Sequence, residues 1–483
     1  MKKLCLFLSF VLLISLAPFF SSCKSEKSKS SYEINAILND NLLEAEEKVT
    51  FVNNTESTLN EVCFNLYANA YRKGAKYPAV PKEQVYSHYY DGESFGEINI
   101  NSVCVEKQEA DFSILGEDKN FLVVKLEEEI FPEESVSIVI NFSVTLAKVI
   151  SRLGITEHTI NLANFYPILS VANSQGFFEC NYYAYGDPFY SEVASYNVNF
   201  TCEEQYNLAF SGSLINRTTK NNLATYKLKG ENIRSFALVL STEFESIKKN
   251  VNGLEISYYF YKDDNPLNVI SAGEKAVTYF SNTFGEYPFK TLTIVQTPFI
   301  EGGMEFSSLV YVSDDLTEEE KIEVTVHETA HQWWQAGVGN NEILHPFLDE
   351  GLCEYSVVLF YENHLEYGQS RESLIKEADS RYRLYCSVYK EVFGDADTSM
   401  LRPLGKYLGQ YEYVSIAYVK ACLMFDTLRD IIKDADFFNC LKDYYKEFKF
   451  RISTPDDLIA VFTRRFKEAE GFFYGFYSGK SIL

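Results

Sequence analysis

His327-Glu328-Thr329-Ala330-His331 sets two imidazoles four residues apart in a chain that holds 6 histidines. On an α-helix, positions i and i+4 share a face, so both rings reach one ion. Eighteen residues separate His331 from Glu350, which lies within Leu348-Asp349-Glu350-Gly351. Two histidines and a carboxylate suit Zn²⁺, which keeps a fourth position for water. Glu328, next to the first histidine, stands where a general base would take that water's proton. These residues imply a hydrolase with one zinc per chain.

The rest of the chain must position them. It has 483 residues, 46% of them hydrophobic and 16% aromatic, enough for a large core and two domains. Lys and Arg number 44 against 68 Asp and Glu, a net charge of −24. No basic stripe is available to displace counterions, which argues against nucleic acid as a partner. The same charge opposes adhesion of the folded body to anionic lipid.

The amino terminus carries its own signal. Lys2 and Lys3 precede an apolar run from Leu4 to Phe20, then Ser21, Ser22 and Cys23. A basic start, an apolar stretch and small residues before a boundary read as a secretory signal over 1–22. The small pair before Cys23 resembles the lipobox of bacterial lipoproteins, although Phe20 departs from its usual aliphatic residue. That resemblance implies lipidation at Cys23 and a protein anchored at the extracytoplasmic face of a bacterial membrane. An uncleaved signal anchor is the other reading, with a run marginal for a membrane span. Residues 23–31, polar and low in complexity, read as a flexible tether.

Eight cysteines lie beyond Cys23, scattered and without CxxC spacing, so no zinc knuckle is indicated and 105 disulfide pairings stay open. Residues 32–250 read as an antiparallel β domain, with 32–52 forming two strands around Asn39-Asp40-Asn41. From Pro266 the period changes to helical, with a helix from Leu267 to Phe284 stopped by Gly285. A strand at 292–296 and an extended segment at 303–312 follow. Thr317 to Glu320 form a capping box, opening a helix that carries both histidines and ends near Gly337. Pro346 opens the next helix, which carries Glu350, and further helices fill 366–390 and 412–433. Strands followed by a helical part, 251–483, give an α+β fold.

Three motifs in order carry a family resemblance. HETAHQWW with LDEG, GGMEF at Gly302-Gly303-Met304-Glu305-Phe306, and Tyr418-Val419-Lys420-Ala421 resemble the aminopeptidase N-like gluzincins, also called membrane alanyl aminopeptidases. That resemblance implies a thermolysin-like zinc catalytic domain acting on peptides, with no partner protein indicated. It implies metal ligation by His327, His331 and Glu350, with Glu328 as base and Tyr418 as donor to the oxyanion. Gly302, Gly303, Met304 and Glu305 would bind substrate, with Glu305 taking the free α-amine and the strand pairing with the peptide backbone. Phe306 stands where the family has asparagine. A second amine-binding glutamate is expected from the β domain, and Glu179 in Phe177-Phe178-Glu179-Cys180 is the candidate. Glu354, one turn beyond Glu350, is either an outer partner of the metal ligands or, the favoured reading, an exposed helix residue. The chain stops about 65 residues after Tyr418, which implies that the family's C-terminal helical domain is missing and the cleft more open. An endopeptidase on the same metal site is one alternative. A catalytically inactive peptide-binding protein of the cell surface is another.

Overall fold

Strict alternation builds the first half of the protein. In the strand Ser135–Thr145, Val136, Ile138, Ile140, Phe142 and Val144 all face inward. Burying each such side chain is worth about 1.5–3 kcal/mol, and a slip of one residue would turn all five outward. Strands Ser31–Asn39 and Leu42–Val52 pair antiparallel around a turn in which Asp40 takes φ 53°. They join an eight-stranded sheet that is antiparallel except where Ser31–Asn39 runs parallel to Ala194–Glu203. Two four-stranded sheets and a two-stranded hairpin, Ala172–Asn173 with Gly176–Phe177, complete this half. These features belong to a computed structural model that describes residues 28–480. The expected signal segment, the candidate lipidation site Cys23 and the first part of the tether lie outside the described residues.

A separate five-stranded sheet carries the functional half. Its strands β1 (Glu245–Val251) and β2 (Leu254–Phe260) form a hairpin. Helix α1 (Pro266–Thr283) then crosses over to β3 (Thr291–Thr297), parallel to β2. The segment expected to be extended over 303–312 is instead broken. Ser308 takes φ 59°, and the chain reverses between β4 (Gly303–Met304) and β5 (Leu309–Ser313). The reversal lets Phe306 turn into the core against Tyr311, at 5.0 Å between ring centres. Strand β4 is left at the edge of the sheet.

Helix α2 (Glu318–Ala330) opens on the expected capping box, with Thr317 and Glu320 bonding each other's backbone N–H groups. It ends at His331, six residues before Gly337, and Gln335 at φ 147° has already left helical geometry. Helices α3 (Phe347–Asn363), α4 (Arg371–Phe393) and α5 (Ala421–Phe448) follow. A π-helical stretch, Val414–Lys420, leads into α5 and carries Tyr418. Such wide turns cost regular hydrogen bonding and concentrate at functional sites.

The first, β-rich half and the half that follows are tied by polar contacts. Gly212 N–H donates to Ser308 Oγ at 2.7 Å, and Arg234 Nε donates to the Gln335 carbonyl at 2.9 Å. Strands followed by a mainly helical region give the α+β architecture expected from the sequence. Among the described residues all eight cysteines are free, and six of them are buried. No described helix is long and apolar enough to cross a membrane.

Candidate metal centre and active site

Helices α2 and α3 bring His327, His331 and Glu350 together. His327 Nε2 lies 3.1 Å from His331 Nε2, and Glu350 Oε2 is 3.4 Å and 3.3 Å from those two nitrogens. Tetrahedral ligands at ordinary zinc bond lengths stand about 3.3 Å apart. Three donors converging at that separation fit a zinc ion with one position open. Burial pushes the Glu350 carboxyl up, but His331 and His327 outweigh it and hold it at about 2. For His327 burial works downward, and the Glu350 and Glu354 carboxylates reverse it, to about 10.

The outer nitrogens are also engaged. His331 Nδ1 faces the Trp334 carbonyl at 3.2 Å, in the turn that follows α2. His327 Nδ1 faces Glu354 Oε2 at 3.5 Å. Tyr418 donates its hydroxyl to Glu350 Oε1, and its ring stacks on His327 at 5.9 Å. Burial and the Glu350 carboxylate keep that hydroxyl protonated well above the usual range, so it stays a donor.

Glu328 projects from α2 against strand β4. A Cβ on Gly303 would overlap the Glu328 carboxylate and come 2.6 Å from Val324 Cγ1, so only glycine admits this approach. Burial raises the Glu328 carboxyl to about 7 against the pull of His327 and His331. A base poised there accepts and returns a proton near neutrality.

Glu305 lies beyond the end of β4, buried, with Oε1 lacking any hydrogen bond. Burial, then the nearby Asp187 carboxylate, raise its carboxyl well above the usual range. Asp187 is buried too and accepts from Arg152 at 2.7 Å. Arg152 Nε in turn reaches Met304 Sδ at 3.0 Å, which fixes β4 to the first, β-rich half. Gly302, at φ +91°, begins the turn into β4.

Glu179 is not part of this constellation. Cys180 is buried, whereas Glu179 is not. The Glu179 side chain is exposed and lies beside Gly116. The β domain instead supplies Asp187, in the Tyr185-Gly186-Asp187-Pro188 turn, eight residues further on. The sequence offered one cue, a carboxylate between glycine and proline in an aromatic stretch. Arg152 gave no local signal.

Residues 269–472 match the peptidase family M1 domain. That match takes in both zinc-binding helices and Tyr418. The chain's enzyme class follows, that of a zinc metallopeptidase, and the M1 cofactor suits the donor triangle of His327, His331 and Glu350. The whole fold is similar to the M1 zinc metallopeptidase of Deinococcus radiodurans, with TM-score 0.67 and 16% identity, covering 95% of this chain and 96% of that one. A variant of the Deinococcus enzyme bound to a Tyr-Ser-Ala substrate aligns at TM-score 0.65 and 16% identity, over 94% and 95% of the two chains. A search of curated proteins found no match.

Proposed function

We propose that this M1 peptidase is an aminopeptidase that removes residues from the amino end of peptides. The observation that carries this reading is Glu305, a buried carboxylate with an unpaired oxygen beside Asp187 and the metal-facing histidine His331. Carboxylates crowded in this way are stabilised by a positive group, and a peptide's free ammonium supplies one. The outer edge of β4 offers backbone groups with which an extended substrate pairs. An ammonium held at Glu305 then sets the first peptide bond next to Glu328.

Zinc, when bound, lowers the pKa of a water toward 7 and polarises the scissile carbonyl. Glu328 takes the water's proton and hands it to the leaving amine. Tyr418, kept protonated, donates to the oxygen that gains charge, a contact that strengthens only in the transition state. Arg152 holds Asp187 and Met304 in place and keeps the amine site registered on β4.

The enzyme acts outside the cytoplasm, tethered by lipid on Cys23. This part of the reading is supported by the charged start, the apolar run and Ser21-Ser22-Cys23. Incorporation of a labelled fatty acid that persists in Cys23→Ala would overturn it. For the peptidase reading, the test is mass spectrometry of a decapeptide digest over time. A ladder losing single residues from the amino end is expected, and internal fragments appearing first would contradict it.

A further inference from the structure

We propose that Glu354 is a positioning residue for the metal, taking the Nδ1–H of His327 and fixing the tautomer whose Nε2 faces the ion. The proposal rests on His327 being a metal ligand. His327 Nε2 points into the donor triangle, 3.1 Å from His331 Nε2, so Nδ1 is the nitrogen left to carry the proton. That nitrogen meets Glu354 Oε2 at 3.5 Å. The two metal-facing histidines are therefore held differently. His331 leans on a neutral carbonyl, that of Trp334 at 3.2 Å, whereas His327 leans on a carboxylate.

The difference matters because an anionic partner makes the imidazole more basic and restricts its rotation. It matters more for His327, which is the less deeply buried of the pair. Its side chain is 13% accessible against 1% for His331, so packing constrains it less. Glu354 sits one turn after Glu350 on α3, and that spacing lets one helix deliver a metal ligand and the clamp on another. Among the described residues, its ion pair is with His327 alone. Glu323, on α2 one turn before His327, adds negative charge on the same side, and burial followed by Glu354 raises its carboxyl. The sequence reading of Glu354 as an exposed helix residue does not fit this placement.

The test is zinc affinity, measured on full-length mature protein by competition with a chromogenic chelator, for wild type, Glu354→Gln and Glu354→Ala. Glu354→Ala is expected to bind zinc about 10- to 100-fold more weakly. Glu354→Gln, which keeps an acceptor but loses the charge, is expected to fall between. The metal-free forms of all three should melt at the same temperature, because Glu354 keeps 30% of its side chain accessible and its ion pair is with the metal-facing His327. The d–d spectrum of the cobalt-substituted protein should also change in Glu354→Ala. Zinc affinity within twofold of wild type in Glu354→Ala would overturn the proposal. So would a lowered melting temperature of the metal-free Glu354→Ala, which would make the loss of affinity a folding effect. A wild type that binds no zinc would instead sink the assignment of His327 as a ligand.

Discussion

Gly303 and Glu328 occupy adjoining space so closely that a methyl group on the glycine would displace the glutamate carboxylate. The base and the substrate-pairing strand are thus fitted to each other. A shift in one moves the other, and errors near 1 Å in a reacting group can cost on the order of 100-fold in rate.

Gly303→Ala should therefore lower kcat by about 10- to 100-fold. Zinc content should stay at one per chain, since Val324 and Glu328, not the ligands, meet the new methyl group. Steady-state kinetics with elemental analysis on the same preparation checks both halves of the claim.

Glu328→Gln removes the base and keeps its shape. The expected fall in kcat is roughly 10²–10⁴-fold with zinc retained. Activity near wild type would reassign the proton transfer to another group.

Tyr418→Phe should reduce kcat and kcat/KM together, as the loss of a transition-state contact does. Because the hydroxyl also bonds Glu350 Oε1, chelator resistance should be measured alongside. An unchanged kcat with weakened zinc would mean that Tyr418 serves the ligand and not the reaction.

Glu305→Ala should cost about ten- to a hundredfold in kcat/KM, since a buried charge-assisted contact is worth roughly 1.5–3 kcal/mol. Asp187→Asn should act in the same direction. Glu179→Ala, at the surface, should behave as wild type.

Glu47 makes a prediction far from the active site. It is fully buried on the strand Leu42–Val52, neither oxygen has a hydrogen bond, and burial holds its carboxyl well above the usual range. The native state keeps a proton there that the unfolded chain releases above pH ~4.3. Stability is therefore lost as pH rises from that value toward the raised native one, and none is lost in more acid solution. Glu47→Met should raise Tm at pH 7, by roughly 1–2 °C for each kcal/mol regained. The gain should shrink toward zero near pH 4, which thermal melts at the two pH values will show.

Much of this was legible in the chain. The strands at 31–52, the capping box at Thr317 and the helix at Pro266 follow from alternation, capping and turn chemistry, all local. The metal triangle was legible because helical spacing and one downstream carboxylate suffice to define it. What stayed hidden was set by tertiary packing. Asp187 reaches the site only because Arg152 anchors it beside Met304, across more than a hundred residues of chain. The reversal at Ser308 is driven by Phe306 seeking Tyr311. The π-helical turn under Tyr418 has no signature in residue type, and the clamp of Glu354 on His327 depends on how α2 and α3 cross.

The most direct test of amino-end trimming compares one peptide in free and N-acetylated forms on the zinc-loaded enzyme. The free peptide should be cut at its first bond with kcat/KM at least tenfold above the acetylated one, because acetylation leaves the Glu305 carboxylate without its positive partner. Both activities should vanish with a chelator. Equal cleavage of the two forms would contradict an aminopeptidase and identify an endopeptidase on the same metal centre.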